Sequence, residues 1–311
     1  MTTALFSHSD CLAHVTPSGH PEQVARLDRI ATALDAPGFA ALERRVPPLA
    51  DDADLLLCHP QRHIDAIIAA EPGRGAVPLD GDTWMSAGSV QAARRAVGGC
   101  IAAVDAVLDD AVDNAFVACR PPGHHAEQDT PMGFCLFGNA AIAARHAMER
   151  RGLSRVAVID FDVHHGNGTQ ALLWDEPRAL FLSSHQSPLW PGSGAAHETG
   201  GHNNVQNFPL APHSDGRVMR GVYEAEVFPA VARFAPELII VSAGFDAHRA
   251  DPLAQLNWTT EDFAWLTRHI CDLAEAHCGG RVVSTLEGGY DLNALADSVA
   301  AHVGTLMERA G

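Results

Sequence analysis

Residues 156–168 read Val-Ala-Val-Ile-Asp-Phe-Asp-Val-His-His-Gly-Asn-Gly, a short apolar run that ends in acidic and histidine side chains. The apolar half is typical of a strand that is buried on both faces of a parallel sheet. Because residues two apart in an extended segment point the same way, Asp160, Asp162 and His164 share one side of it. A carboxylate and an imidazole placed together in this way can bind one metal ion. Taken alone, the Asp-x-His pattern is equally typical of a turn.

Four further apolar runs of the same kind occur along the chain, and alanine-rich stretches with helical spacing alternate with them. The predicted strands are residues 115–119, 156–160, 179–183, 238–242 and 282–286. The predicted helices are residues 86–108, 138–150, 215–234, 259–277 and 291–309. This alternation predicts a single α/β domain over residues 1–311, with a mostly parallel central sheet and helices on both faces. Residues 182–213, rich in Gly, Pro, Asn and His, are expected to be irregular and to form a wall of the site.

The composition excludes several classes of partner. The 311 residues are 47% hydrophobic and carry 38 acidic against 21 basic side chains, a formal charge of −17, and every basic residue is arginine. Such an acidic balance argues against general nucleic-acid binding and against an anionic membrane surface. The seven cysteines form no C-x-x-C pair, and no signal-peptide or membrane-spanning pattern is present. We therefore expect reduced thiols in a cytoplasmic protein.

Polar clusters follow all five predicted strands, which is where ligands bind in open parallel α/β sheets. The rigid Arg-Pro-Pro-Gly segment after the first strand leads into His124 and His125, and a Gly-Gly pair after the last strand leads into Tyr290. Asp246 follows the fourth strand and would complete a set of two carboxylates and one imidazole. That mixed oxygen and nitrogen set suits zinc or iron better than calcium or magnesium.

Two other histidines, His59 and His63, stand four residues apart, a spacing that places both on one face of a helix. Such a pair can bind a metal ion, but no carboxylate stands beside it in a suitable geometry. We therefore expect both side chains to lie at the protein surface.

Seven segments, in this order, resemble those of the zinc-dependent histone deacetylase family, which includes bacterial acetoin-utilisation and acetylpolyamine deacetylase relatives. They are residues 20–22, 120–126, 133–139, 160–168, 190–194, 242–252 and 286–290. Together they span nearly the whole chain. The resemblance implies a bacterial family member with the arginase-like α/β fold that hydrolyses an acetyl amide.

The resemblance also implies two ion sites. Carried over by position, Asp162, His164 and Asp246 are similar to the family's ligands of one catalytic zinc ion, although the sequence does not distinguish zinc from iron. A structural potassium site of the family overlaps Asp160, Asp162, His164 and Ser183, mostly through backbone oxygens.

The catalytic roles follow from the same resemblance. His125 is similar to the general base and later acid, and His124 to the neighbouring imidazole that assists electrostatically, with the carboxylate of Asp160 behind it. Asn167 stands behind His125, as in the class II branch, where other members have an aspartate. A neutral partner would stabilise the imidazolium of His125 less. Tyr290 is similar to the phenol that donates a hydrogen bond to the substrate carbonyl oxygen.

The substrate tunnel is implied by Gly133, Phe134 and Trp190, the last in place of the more usual phenylalanine or tyrosine. Aromatic walls suit a slender aliphatic arm. The substrate is therefore expected to be an acetylated lysine peptide, an acetylpolyamine or another small acyl amide. The sequence does not choose among these substrates, and a homo-oligomer is as compatible with it as a monomer.

Two alternatives to a deacetylase remain at this point. A ureohydrolase of the same fold would hold two manganese ions, but the segment around Asp246 lacks the dense aspartates that bridge a second metal. A catalytically silent protein that binds acyl ligands is the other alternative. The intact Tyr290, His125 and metal-ligand positions argue against a silent site.

Overall fold

An eight-stranded parallel sheet runs through the computed structural model, which describes residues 2–310. In chain order the strands are β1 (Thr3–Phe6), β2 (Glu43–Arg45), β3 (Ala76–Pro78), β4 (Trp84–Ser86), β5 (Asn114–Val117), β6 (Val156–Asp160), β7 (Ala179–Gln186), β8 (Val205–Leu210), β9 (Leu238–Ala243) and β10 (Val282–Leu286). The order across the large sheet is β2-β1-β5-β10-β9-β6-β7-β8, whereas β3 and β4 form a separate antiparallel pair. The predicted α/β class with a mostly parallel sheet is confirmed.

The helices alternate with the strands, as predicted. They are α1 (Ala25–Leu34), α2 (Asp52–Leu55), α3 (Gln61–Ala70), α4 (Ser89–Leu108), α5 (Asn139–Glu149), α6 (Asn167–Leu173), α7 (Gly216–Val222), α8 (Phe228–Phe234), α9 (Thr260–Cys278) and α10 (Leu292–Glu308). A π-helical turn joins α7 to α8, so that residues 216–234 form one continuous helical stretch. Helices α4 and α5 pack together on the sheet, and α1, α9 and α10 pack together as a second group. Among the helices of residues 2–310, none is both long and apolar enough to cross a lipid bilayer.

Strands β5, β10, β9, β6 and β7 are neighbours in the middle of the sheet, and all of their residues are buried. These are the five strands that the sequence predicts. Helices cover both faces of a parallel sheet, so its central strands lack polar alternation and stand out as continuous apolar runs.

The strands nearer the sheet edges give no such signal. Strand β8 lies inside residues 182–213, which the sequence analysis expected to be irregular, and that expectation is wrong for this part. Its residues are partly buried and partly exposed, and it contains the exposed Pro209, which an edge strand tolerates because one side needs no ladder partner.

The expectation that His59 and His63 lie at the surface is also wrong. Their side chains are buried, and the rings stack with centroids 4.7 Å apart. His59 Nδ1 lies 3.1 Å from the backbone oxygen of Gln128, and the backbone N–H of Gly138 donates to His59 Nε2 at 2.9 Å. His63 Nε2 lies 2.9 Å from the backbone oxygen of Leu136, so both imidazoles bond backbone groups of residues 128–138, a role that their spacing alone does not reveal.

The strand register places a row of polar side chains across the carboxyl end of the sheet. Asp160 on β6 pairs with Ser183 on β7 and with Ser242 on β9, and Ser242 pairs with Thr285 on β10. All four residues are buried. Buried polar groups need hydrogen-bond partners, so this end of the sheet is where the fold concentrates polar side chains.

The central strands are expected to dominate the stability of the fold. Ile159→Ala on β6 removes a side chain with 0% exposure and should lower the free energy of unfolding by about 2–5 kcal/mol. Ile68→Ala on α3 is the matched control, since Ile68 is 44% exposed and should lose less than about 1 kcal/mol. Urea denaturation of both variants measures the difference, and equal losses would contradict the assigned core.

Candidate active site

A cleft of about 370 Å³ opens at the carboxyl ends of the central strands. It is lined by His20, Pro21, Gly81, Asp82, Trp84, His125, Gly133, Phe134, His164, Leu189, Trp190, Leu253 and Tyr290. These residues come from segments that lie far apart in the chain. The cleft therefore exists only when the sheet has assembled.

Asp162 and Asp246 meet His164, which lines this cleft, and each of the three offers a ligand atom within 4.8 Å of the others. His164 Nδ1 lies 3.2 Å from Asp162 Oδ1 and 3.1 Å from Asp246 Oδ2. The backbone N–H of Gly288 donates to Asp162 Oδ2 at 2.8 Å, and that of Val163 donates to Asp246 Oδ1 at 2.9 Å. These backbone bonds hold the two carboxylates in place from behind.

The electrostatics of this triad favour a cation. Burial and the nearby carboxylate of Asp162 raise the pKa of Asp246 to about 7. Burial alone would lower the pKa of His164, but hydrogen bonds to Asp162 and Asp246 raise it to about 10. The pocket between two buried carboxylates thus stabilises positive charge, and two oxygen donors with one imidazole suit a divalent metal ion. The residues present therefore fit the metal that the sequence predicts.

Beside the triad, His124 and His125 lie with ring centroids 3.9 Å apart, but different groups stand behind them. His124 Nδ1 donates to Asp160 Oδ2 at 3.0 Å, whereas His125 Nδ1 lies 2.8 Å from the amide oxygen Asn167 Oδ1. All four side chains are buried. The structure thus pairs one histidine with a carboxylate and the other with an amide.

This difference separates the pKa values of the two imidazoles. Burial would lower the pKa of His124, but Asp160 and Asp162 outweigh burial and raise it well above its usual range. Burial, and then repulsion from His124 and His164, lower the pKa of His125 well below its usual range. The surroundings therefore favour the charged form of His124 and the neutral form of His125.

Tyr290 enters the cleft from the turn after β10. Its backbone N–H donates to Asp251 Oδ2 at 2.7 Å, and the guanidinium carbon of Arg26 lies 5.1 Å from the centre of its ring. Burial, followed by the charges of Asp246 and Asp162, raises the pKa of the phenol well above its usual range. The hydroxyl therefore stays protonated and is able to donate a hydrogen bond.

The predicted wall residues lie against the predicted catalytic residues. The rings of His125 and Trp190 have centroids 4.7 Å apart, and those of Phe134 and Tyr290 are 5.8 Å apart. A Cβ on Gly133 would fall 2.4 Å from His125 Cδ2 and 2.6 Å from the Trp190 ring. Only glycine permits this approach, and its φ of +55° favours glycine as well.

Some residues of the site were not singled out from the sequence. Glu287 is buried, and its carboxylate accepts from the backbone N–H groups of Gly123 and His124 at 2.7 and 3.1 Å and from the Ser242 hydroxyl at 3.2 Å. Burial raises the pKa of Glu287 to about 7. Glu287 and Ser242 both lie within the family-like segments, but nothing in their spacing showed that they face the histidine pair.

A buried ion-pair cluster supports the site from the side of Tyr290. Glu22 Oε1 accepts from Arg26 Nη1 at 3.0 Å, and Glu22 Oε2 accepts from Arg120 Nη2 at 2.5 Å. Arg26 also donates to the backbone oxygen of Gly289 at 2.7 Å. Glu22 and Arg120 lie within the family-like segments 20–22 and 120–126, but nothing in the sequence indicated that they form an ion pair.

Comparisons with known proteins show which family this chain is similar to. The model of the histone deacetylase domain matches residues 20–306, which include every residue of the cleft. The histone deacetylase-like amidohydrolase of Pseudomonas aeruginosa is 41% identical over 88% of this chain and 73% of its own length. Polyamine deacetylase HDAC10 of Homo sapiens is 35% identical over 99% of this chain and 48% of its own length. The crystal structure of the HDA15 HD domain superposes with a TM-score of 0.94 at 32% identity, covering 99% of this chain and 88% of that one.

The triad is expected to bind one divalent ion per chain. Asp246→Ala should weaken binding of Co²⁺, used as a coloured probe, by about tenfold or more, because it removes one of three ligands. Asp251→Asn is the matched control, since Asp251 is another buried carboxylate near the cleft but not a member of the triad. Titration of the metal-free protein, followed by visible absorption, measures both affinities. Unchanged binding by Asp246→Ala would place the ion elsewhere.

Proposed function

The chain belongs to the histone deacetylase family, and we propose that it is a zinc-dependent deacetylase that releases an acyl group from a slender amine. The family and its named relatives make the coarser statement, a deacetylase or amidohydrolase, secure. The observation that carries the finer proposal is that His164, a member of the triad with Asp162 and Asp246, lines the same cleft as His125 and Tyr290.

The metal would be held by Asp162, His164 and Asp246. A zinc ion bound there would act as a Lewis acid, polarising the substrate carbonyl and lowering the pKa of water toward about 7. The three side chains are buried, and the hydrogen bonds from Gly288 and Val163 keep the two carboxylates oriented without help from solvent. The protein's part is therefore to hold the ligand atoms in position and to keep bulk water away.

His125 is proposed as the general base and later the general acid. It lines the cleft, and its lowered pKa keeps the imidazole neutral and able to accept a proton from the attacking water. The same ring then donates that proton to the departing amine nitrogen. Asn167, 2.8 Å from His125 Nδ1, holds the ring in orientation.

His124 is proposed to assist as a positive charge. Asp160 lies 3.0 Å from His124 Nδ1 and, with Asp162, keeps the imidazole protonated. A fixed cation beside the reacting carbonyl stabilises the negative charge that develops there, without a proton leaving His124.

Tyr290 is proposed to donate its hydroxyl proton in a hydrogen bond to the carbonyl oxygen as that oxygen becomes negative. The raised pKa of the phenol keeps the proton available, and Asp251 and Arg26 hold the turn and the ring. Preorganised donors of this kind cost little reorganisation during the reaction.

The substrate would enter between Phe134 and Trp190, with Gly133 allowing the wall to lie against His125. Leu189 and Leu253 make the lining more apolar, and Asp82 adds a carboxylate. An aliphatic arm fits such a lining. We propose an acetylated lysine peptide, an acetylpolyamine or another small acyl amide as substrate, and the similarity to a human polyamine deacetylase supports including amines in that class.

Two further features belong to the proposal. A structural potassium ion would lie near Asp160, Asp162, His164 and Ser183, and the support is that Asp160 and Ser183 are register partners on adjacent buried strands. A reducing, cytoplasmic location is supported by the seven cysteines, all of which are free thiols.

The proposed function is tested by turnover of the zinc-loaded protein on a panel of acetylated peptides, acetylpolyamines and small aryl amides. Hydrolysis that a hydroxamate inhibits, ranked by kcat/KM, is the expected result. No turnover with zinc fully bound would favour a silent acyl-ligand binder. Two manganese ions per chain would instead favour a ureohydrolase.

Tyr290→Phe is expected to lower kcat by about 10²–10³ while the zinc content stays at the wild-type level, because only the donor to the developing oxyanion is lost. Steady-state kinetics and metal analysis of the same preparation measure both quantities. Tyr223→Phe is the matched control: Tyr223 is the other tyrosine, and its hydroxyl bonds Ser184 at 2.7 Å, away from the cleft. Near-native turnover by Tyr290→Phe would contradict the role assigned to the phenol.

The two histidines are expected to differ in their contribution. His125→Ala removes the proton acceptor and should lower kcat by about 10²–10⁴. His124→Ala removes an electrostatic partner and should cost less. Both rates are measured on the best substrate of the panel at saturating zinc. Equal residual rates, or a larger loss for His124→Ala, would undermine the assignment of His125 as the base.

A further inference from the structure

We infer that Glu127 is a positioning residue for the proposed reaction, because its carboxylate sets the direction of the hydrogen bonds behind His125. It does so through Asn167, whose amide group lies between the two. The inference rests on the proposed function, since a deacetylase of this kind needs a free nitrogen on His125. Glu127 follows the histidine pair closely in the sequence, but its own position gave no reason to connect it with Asn167.

Three side chains form a line of hydrogen bonds that leads away from the cleft. His125 Nδ1 lies 2.8 Å from Asn167 Oδ1, and Asn167 Nδ2 donates to Glu127 Oε1 at 2.8 Å. The same amide nitrogen lies 3.3 Å from Met132 Sδ. His125 and Asn167 are buried, whereas Glu127 is half-buried. The last acceptor in this line, on the side away from the cleft, is therefore the charged carboxylate of Glu127.

The groups on the outer side of Asn167 determine which end of its amide faces His125. An ionised carboxylate only accepts hydrogen bonds, and a thioether sulfur is a weak acceptor, so both attract the NH₂ end of Asn167. The amide oxygen must then face His125, and only a protonated Nδ1 can donate to it. Nε2 of the neutral ring is left with its lone pair free, which is the form that a general base requires.

Both ends of the line are held by the backbone. The N–H of Glu127 donates to the backbone oxygen of Thr130 at 3.0 Å, and the N–H of Thr169 donates to the backbone oxygen of His124 at 3.0 Å. Asn167 is the first residue of α6, so this second bond ties the start of that helix to the histidine pair. The carboxylate, the amide and the imidazole therefore keep their relative positions as substrates enter.

Glu127 acts differently from Asp160, the carboxylate behind the neighbouring histidine. Asp160 contacts the His124 ring directly, and a carboxylate in direct contact favours the charged imidazolium. An amide separates Glu127 from His125, so the carboxylate selects the tautomer without contacting the ring. The same type of side chain thus supports a charged histidine in one place and a neutral one in the other.

The first test is Glu127→Gln in the zinc-loaded enzyme. A glutamine amide both donates and accepts, so Asn167 gains a second orientation in which its NH₂ group faces His125 and the wrong ring nitrogen is free. We expect kcat to fall about tenfold, with KM and zinc content unchanged, because a wrong tautomer impairs proton transfer and not binding. Asp129→Asn is the matched control, since Asp129 is in the same loop and pairs with exposed Arg62 at 2.6 Å. It should keep the wild-type kcat.

The second test exchanges the two chemical groups. Asn167→Asp alone places a second carboxylate next to that of Glu127. The repulsion between the two should also lower kcat about tenfold. In the double variant with Glu127→Gln, the carboxylate at position 167 accepts hydrogen bonds from both His125 Nδ1 and the new glutamine amide. The proton of the neutral His125 ring is therefore again placed on Nδ1. Because a carboxylate in contact with His125 also favours the charged ring, kcat is compared on the plateau of its pH profile, where the ring is neutral, and there the double variant should recover kcat to within about threefold of wild type. A residue with a merely structural role would not produce such recovery.

The outcomes separate this inference from the proposed function. If the wild type turns over but Glu127→Gln matches Asp129→Asn, or if the double variant is no better than the single ones, the positioning role is overturned alone. A test without turnover uses ¹⁵N NMR of the metal-free protein, with the His125 signals assigned by their loss in His125→Gln. We expect one Nδ1-protonated tautomer in the wild type and a mixture in Glu127→Gln. A single unchanged tautomer in both would also overturn the inference.

Discussion

Asp160, Asp162 and Asp246 are fully buried where neighbouring central strands end, and the rest of the site is arranged around these three charges. Removing a carboxylate from water costs several kcal/mol unless it is paired and hydrogen-bonded. Backbone N–H groups and two histidine rings supply the pairing, and the pKa of about 10 for His164 shows that the local potential remains negative. A divalent cation would neutralise that potential. The proposed metal would therefore stabilise the buried carboxylates, and the carboxylates would in turn bind the metal.

The parallel sheet makes this concentration of charge possible. Its five central strands are buried throughout and all point the same way, so their carboxyl ends bring together segments that are far apart in the chain. His20 and Tyr290 line the same cleft although 270 positions separate them in the sequence. Because the polar residues lie at the edge of an apolar sheet, the strands supply stability and the loops after them supply chemistry.

The histidine pair shows how the hydrogen-bond partner of an imidazole ring determines which charge state, and so which role, the ring favours. His124 and His125 are adjacent, equally buried and in ring contact, yet one faces a carboxylate and the other an amide. The first arrangement favours a charged imidazole and the second a neutral one. In the proposed reaction the charged ring stabilises negative charge while the neutral ring transfers the proton. Glu127 completes this division by fixing which nitrogen of His125 is free.

The sequence by itself determined the central strands and the chemical groups at their ends. Burial on both faces leaves unbroken apolar runs, and the residue types after them restrict the chemistry. It did not determine β8, an edge strand without a continuous apolar run, or the burial of His59 and His63. Nor did it indicate that Glu127 stands behind Asn167, 40 positions away. Only the tertiary structure decided these features, because each depends on contacts between distant segments that leave no periodic pattern in the chain.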